Sequence, residues 1–502
     1  MLSAHCLLVV FLTAYLAAAL ASASATGPRT LVLLDATLDR SAYSTYFSAL
    51  EKQGLELAFR TTKESTPTLT AHGEKSFDHL IVFAPEAKTL AADVTPQALV
   101  KFLKEDGNIL FALSSNLAEQ YRDLAREFDV EFDERGTRLV DHFSSLSSDP
   151  THTSVLVQDG LDASLGPLFS APAAVADPFL YKNGIVHRVG DNPLAFPILR
   201  PASLSYSFEG PLSEDEASSI DKLDSPDREL MLGSDADVSL ISAFQLLNTD
   251  RRNPDQSPKR VGSAGRVAFV GSIEAFSNVA IDTKNIETKD GKSSWVTQNH
   301  GVIRVEGTSH ERVRQSQTDI RESYEEFDAQ DESQAKRVQN MYRIMDTVTF
   351  NIDLSQHTPA GWTPAPNDLD LQVSLVMLDP YVTTNLTARG QLATTAPSSG
   401  NLSQKSLDRT PRSTRYSSTF RLPDKHGVYT FVVDWKRHGW SYVNTRDTTP
   451  VRPLNSDEHP RFLHAAFPYV AGAASTVTAF LLFSLLWITS DDQGGKDKRK
   501  EE

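Results

Sequence analysis

The chain has 502 residues, 40% of them hydrophobic and 23% charged, and a net charge of -16. That length suits several domains with cores of their own. The acidic balance argues against a nucleic-acid binder, which presents a basic face, and otherwise reports on solubility.

The first segment, MLSAHCLLVVFLTAYLAAALASASATG, holds an apolar run over residues 7–20 that is short for a bilayer crossing. Small residues follow, and Ala21-Ser22-Ala23 or Ala23-Ser24-Ala25 suits signal cleavage. Residues 1–25 therefore read as a secretory signal peptide, with an uncleaved anchor as the alternative. Cys6, the single cysteine, lies inside this segment, so the mature chain is expected to hold no disulfide and no cysteine metal site.

Next comes an alternation of buried strands and amphipathic helices. TLVLLD (30–35), LELAF (55–59), FDHLIVFAP (77–85) and NILFALS (108–114) read as strands. Tyr43, Tyr46, Phe47 and Leu50 share one helix face, which Gly54 should terminate. Thr95-Pro96 fits an N-cap and first helical position, and Gly107 the end of that helix. Leu117, Tyr121, Leu124 and Phe128 mark a third helix, and VEF (130–132) closes the run. Near-continuous apolar strands argue for a doubly wound parallel sheet covered on both faces, an α/β domain over 27–145.

Ligands of such sheets bind beyond the carboxyl ends of the strands. Those positions hold Asp35, Glu86, and Ser114, Ser115 and Asn116. The last three precede a helix, so Asp35, Ser114, Ser115 and Asn116 are candidate polar-ligand or glycan contacts. The competing reading is that Ser115 or Asn116 only caps the helix.

Residues 146–345 read as a mixed α/β to β-rich middle region. PLAFPILRP (193–201) is broken by proline, VSLISAFQLL (238–247) is apolar, and RVAFVGS (266–272) is a buried strand. Residues 282–341 are highly charged and expected to be partly irregular. Over 346–455, TVTFNIDL, LDLQVSLVML, STFRL and VYTFVVDW carry alternation or β-branched residues, which predicts a juxtamembrane β-sandwich. Residues 390–417, rich in Ser, Thr and Pro, read as a solvated loop.

Asp368-Leu369-Asp370 forms a D-x-D, a pattern used to hold a metal and a nucleotide sugar, or simply two surface carboxylates beside a strand. Lys436, Arg437, His438, Gly439 and Trp440 form either a headgroup-binding loop or a polar turn with one packed Trp. Asn385 and Asn401 begin N-x-S/T sequons. No hydrolase elbow, zinc-protease or phosphate-loop motif occurs, and no cofactor or metal is expected.

Residues 465–488 are uncharged and long enough to span a bilayer, with Tyr469 and Trp487 near the interfaces. Lys496, Lys498, Arg499 and Lys500 follow, which puts tail 489–502 in the cytosol and the bulk on the secretory side, a type I arrangement. Lys498 and Lys500 also match a dilysine retrieval signal of endoplasmic reticulum residents, or serve as an ordinary stop-transfer cluster. Ala471, Gly472, Ser475 and Thr476 have the small-xxx-small spacing of helices that pack in lipid.

Several stretches together resemble one family. They are TLVLLDATLDRSAYSTYFSALEKQGLELAFRT, FDHLIVFAP, EFDVEFDERGTRLVDHFS, DNPLAFPILRPASLSYSF, LDPYVT, FRLPDKHGVYTFVVDWKRHGWSYV and VRPLNSDEHPRFLHAAFPYVAGA. In this order they are similar to the 48-kDa subunit of the eukaryotic oligosaccharyltransferase. The resemblance implies a luminal α/β domain, β-rich luminal structure and one membrane helix. It also implies membership of a complex that transfers a preassembled glycan from dolichyl diphosphate to Asn of N-x-S/T. Chemistry would belong to a multi-spanning catalytic subunit; this subunit would be non-catalytic and needed for assembly and full activity. Partners implied are the other subunits, and a dolichol-linked glycan or nascent chain. The charged stretch 282–345 and the stretch 390–417 depart from the family pattern. The rival readings are a membrane-tethered luminal hydrolase and an endoplasmic reticulum cargo receptor.

Overall fold

The structure, a computed structural model, describes residues 24–71, 74–88, 90–158, 160–162, 165, 179–209, 231–246, 264–284, 295–313, 342–358, 361–392, 413–456 and 464–494. Its first part is a seven-stranded sheet. The strands are β1 (Arg29–Leu34), β2 (Glu56–Thr61), β3 (His79–Phe83), β4 (Asn108–Ala112), β5 (Ala195–Leu199), β6 (Ile241–Gln245) and β7 (Arg266–Val270), in the order β5-β6-β7-β4-β3-β1-β2. All neighbours from β2 to β7 are parallel, and β6 is antiparallel to β7 and to β5. Alternate side chains of each strand feed opposite faces. Val32, Ile81 and Phe83 pack with Tyr46 and Phe47 of helix α1 (Ser44–Lys52). Leu31, Leu33, Leu80 and Val82 pack with Phe102 of helix α2 (Pro96–Lys104) and Leu124 of helix α3 (Glu119–Arg126). Both faces are buried, hence the uninterrupted apolar runs.

Local signals set the helix ends. Thr95 Oγ1 accepts from the Ala98 amide (3.4 Å) with Pro96 at the first helical position, and Gly54, at φ +89°, follows α1. The stop of α2 differs from expectation. Asp106, not Gly107, takes the left-handed conformation (φ +63°). Asp106 N donates to Leu103 O (3.2 Å) and Gly107 N to Phe102 O (3.0 Å), the two bonds of a Schellman turn.

The sheet extends past residue 145, because β5, β6 and β7 lie on its flank. In sequence, Pro197 argues against a strand. It is tolerated because β5 is an edge strand whose register with β6 shifts between Pro197 and Leu199.

The second part is a sandwich of two five-stranded sheets. One contains β8 (Val302–Arg312), β9 (Thr347–Thr358), β12 (Thr387–Leu392) and β13 (Ser413–Arg421), with Gly361–Pro364 beside β9. The other contains Tyr342–Arg343, β10 (Gln372–Val376), β11 (Pro380–Asn385), β14 (Gly427–Trp435) and β15 (Val443–Arg452). Phe350 and Phe431 stack 5.3 Å apart within one apolar cluster shared by both sheets. The charged stretch from 282 contains the 11-residue strand β8, whose outer half carries polar side chains at a sheet edge, as edge strands do. The expectation of a solvated loop over 390–417 is corrected at both ends of that stretch. The stretch 390–417 contributes the end of β12 and the start of β13, while 393–412 lie outside the described residues.

After the short helix α4 (Asn278–Lys284), helix α5 (Phe467–Gly494) is exposed along its apolar length, and residues His464–Ser490 form a candidate membrane span.

Candidate functional site at the carboxyl edge of the sheet

Strand order turns back between β1 and β3, and open α/β sheets bind ligands beyond the carboxyl ends of the strands at such a point. Asp35 sits there half-exposed. Its amide donates to Phe83 O of β3 (3.1 Å) and its Oδ1 accepts from Thr37 N (3.4 Å), so it shapes the turn leaving β1. Asn116 Nδ2 donates to Glu86 Oε1 (3.2 Å), tying together the loops after β4 and β3. Ser115 is buried, and its carbonyl accepts from Gly136 N (2.8 Å). Helix α3 starts only at Glu119, and Ala118 precedes it with no side-chain cap. Neither Ser115 nor Asn116 caps the helix, and its free amides lie a turn further on than expected.

Two hydroxyls at this edge, Ser114 Oγ and Tyr121 Oη, are buried with no hydrogen-bond partner among the described residues. Burial, then the Asp35 carboxylate, hold the Tyr121 phenol well above its ordinary pKa, so it stays a donor. The edge thus carries two carboxylates (Asp35, Glu86) and an amide (Asn116), with the two hydroxyls buried behind them. Activating Ser114 as a nucleophile would require a base in contact with it.

The other sequence-marked residues lie elsewhere. Asp368 and Asp370 are exposed on either side of buried Leu369, just before β10. They line a cleft of about 920 Å³ that also contains Asn385, Arg389 and Tyr416. Asp370 pairs with Arg437 (3.0 Å). Among the described residues no group of three or more metal-ligating side chains occurs, and the D-x-D is a pair of surface carboxylates. Asn385 is exposed, and Thr387 Oγ1 of the same sequon donates to Ser417 O (3.1 Å). Asn401, Lys498 and Lys500 lie outside the described residues.

In the 436–440 loop Lys436, Arg437 and His438 are exposed, while Gly439 and Trp440 are buried. The loop follows β14 at the end of the sandwich that meets the first sheet. Gln245 Nε2 of β6 donates to Trp440 O (3.1 Å), Trp295 Nε1 donates to Gly439 O (2.6 Å), and His438 stacks on Phe196 of β5 at 4.8 Å. Sequence reasoning missed the centre of this junction, Arg266. Its guanidinium is fully buried against the Trp295 ring (4.6 Å) and donates to Trp295 O (2.7 Å), His300 O (2.9 Å) and Gly301 O (2.8 Å). The available signal was a charge opening an otherwise apolar buried strand.

On α5, Ala471, Gly472, Ser475 and Thr476 are all exposed. Ser475 Oγ donates to Gly472 O (2.8 Å) and Thr476 Oγ1 to Ala473 O (2.8 Å). The hydroxyls are satisfied within the helix, which leaves a small, self-contained surface.

An open α/β sheet, a β sandwich and one candidate membrane span define a modular protein anchored at its carboxyl end. Residues 21–253 match the family described as OST48, N-terminal domain, and residues 328–491 match the OST48 middle domain. The Danio rerio dolichyl-diphosphooligosaccharide–protein glycosyltransferase 48 kDa subunit is 28% identical over 92% of this chain and 91% of its own length. The Schizosaccharomyces pombe glycosyltransferase subunit wbp1 is 28% identical over 92% of each chain, and the Caenorhabditis elegans 48 kDa subunit 26% identical over 92% of each. The chain belongs to the family of the 48-kDa subunit of oligosaccharyltransferase.

Proposed function

We propose that this chain is a non-catalytic subunit of oligosaccharyltransferase, the complex that transfers a preassembled glycan from dolichyl diphosphate to Asn of N-x-S/T. The observation that carries the reading is similarity along 92% of the chain to proteins named as subunits of that glycosyltransferase. The sheet and sandwich stand in the lumen of the endoplasmic reticulum as scaffold, held by α5. The helix packs on membrane helices of other subunits, the multi-spanning catalytic one included, through Ala471, Gly472, Ser475 and Thr476. Lys498 and Lys500 return the protein to the endoplasmic reticulum. Asp35, Ser114, Ser115 and Asn116 contact hydroxyls of a glycan or acceptor chain, a reading supported by their place just beyond the carboxyl ends of strands in one parallel sheet.

Purifying the full chain in mild detergent and identifying what travels with it tests the reading. The expected result is co-purification with a multi-spanning glycosyltransferase subunit and with transfer activity, and under-glycosylated secretory proteins after depletion. Recovery of the chain alone, under conditions that keep other membrane complexes intact, overturns it. A variant lacking the side chains of Asp35 and Ser114 should lower transfer without abolishing it; complete loss in an assembled complex would contradict the non-catalytic role.

A further inference from the structure

The sandwich has two unlike ends. One docks on the first sheet through Gly439, Trp440 and Ser441. The other is the end from which the chain departs, at Arg452 of β15. Strand register collects one set of turns there. Gly427 lies beside Val451, Arg421 beside Thr347, Arg312 beside Val348, and Val376 beside Pro380. Eleven residues, 453–463, lie between this end and His464, where the candidate span begins. Fully extended they reach at most about 40 Å.

The surface of this end combines apolar tips with arginines. Leu378 is 89% exposed, Val428 62% and Met345 43%. Next to Met345, a cleft of about 470 Å³ is lined by Arg312, Arg343 and Arg421 and by one carboxylate, Asp346. Arg312 and Arg343 lie 3.3 and 3.5 Å from Asp346. Arg421 Nε donates to Met345 O (3.0 Å), and among the described residues no carboxylate pairs with Arg421. Lys425 adds a cation at the tip, beside Tyr381 (3.4 Å), and Asp379 and Asp424 are exposed acids at the same end.

We propose that this end of the sandwich is a bilayer-contact face. The turns bearing Leu378, Val428 and Met345 enter the headgroup layer of the membrane crossed by α5, and Arg421 binds a phospholipid phosphate. Guanidinium forks match phosphate oxygens in pairs, apolar tips gain by leaving water, and basic groups near a membrane surface are drawn to its phosphates. The contact fixes the sandwich upright, with the first sheet at its distal end. It rests on reading α5 as a membrane span.

The test uses the full chain in nanodiscs with single cysteines carrying an environment-sensitive fluorophore, in a Cys6→Ser background. Leu378→Cys and Val428→Cys report the face, Asn385→Cys the side of the sandwich, and Thr478→Cys the span. Nitroxide on lipid headgroups should quench the probes at 378 and 428 at least twofold more than the probe at 385. Acyl-chain nitroxide should quench the probe at 478. Quenching at 378 and 428 no greater than at 385, with the probe at 478 quenched, overturns the contact face alone; an unquenched probe at 478 overturns the span instead. Arg421→Gln should reduce headgroup quenching at 428 and the phospholipid retained in native mass spectrometry, and unchanged values overturn the phosphate role. Residues 314–341 contain seven acidic residues. If quenching appears only after their deletion, the cleft belongs to that stretch and the lipid assignment fails.

Discussion

His79, fully buried at the amino-terminal edge of β3, is held as one neutral tautomer. Its Nε2–H donates to Gly27 O (2.8 Å), and its Nδ1 accepts from Asn108 Nδ2 (3.1 Å). Burial pushes its pKa down to about 4, and burial takes His187, which contacts Ser242 Oγ at 2.8 Å, down to about 3. An unfolded imidazole titrates near pH 6.5. Below that pH the unfolded chain binds protons that the folded chain refuses, so stability is full above pH 6.5 and falls toward pH 4. Thermal melting followed from pH 7.5 to 4.5 should show this loss. His187→Gln should make the slope shallower by about one proton, or about 1.4 kcal/mol per pH unit; an unchanged slope would mean that His187 is not held neutral. Asn385 carries a different expectation. It is exposed at the end of β11, so a glycan fits, and Asn385→Gln should remove one endoglycosidase-sensitive mass step on a gel.

Among the elements, those that bury both faces were the most legible. Strands β1, β3 and β4 and the faces of α1, α2 and α3 follow from apolar periodicity, because burial leaves no other pattern open to them. Elements at edges were obscured. The outer half of strand β8 is polar and charged because it meets water, and β5 contains a proline that only an edge accepts. The candidate site was legible as positions on the sheet edge, since Asp35, Ser114 and Asn116 follow strand ends. The late start of α3, and with it the absence of a cap, was not, because short polar links carry no periodicity. The end of α2 gives a direct packing test. A Cβ at Gly107 would overlap the ring of Phe102, which is fully buried. Gly107→Ala should therefore destabilise by about 1–3 kcal/mol through overpacking, read from denaturant midpoints at unchanged m-value. A neutral result would show that the Phe102 ring can move aside.

At the scale of the whole molecule, the sheet and the sandwich are joined through buried polar groups rather than by apolar contact alone. Arg266 leaves β7, crosses the junction and donates to three carbonyls between residues 295 and 301, while Ser441 Oγ of the sandwich lies 3.4 Å from its Nη2. Its amide donates to Asn108 Oδ1 (3.1 Å), which also accepts from Gln298 Nε2 (2.9 Å), so the network reaches the His79 cluster. Burial lowers the guanidinium pKa, to about 9, yet the group stays charged at neutral pH. Removing it would leave buried carbonyls without donors, the costly half of a broken hydrogen bond. Arg266→Met should lower stability by about 3 kcal/mol and speed amide exchange over 295–301 and 438–443, with exchange in β3 and β14 unchanged. Arg266→Lys keeps the charge but not the fork, so it should recover only part of the protection. Equal exchange in all three proteins would mean that shape complementarity between Phe196, His438 and Trp295 suffices to hold the two parts together.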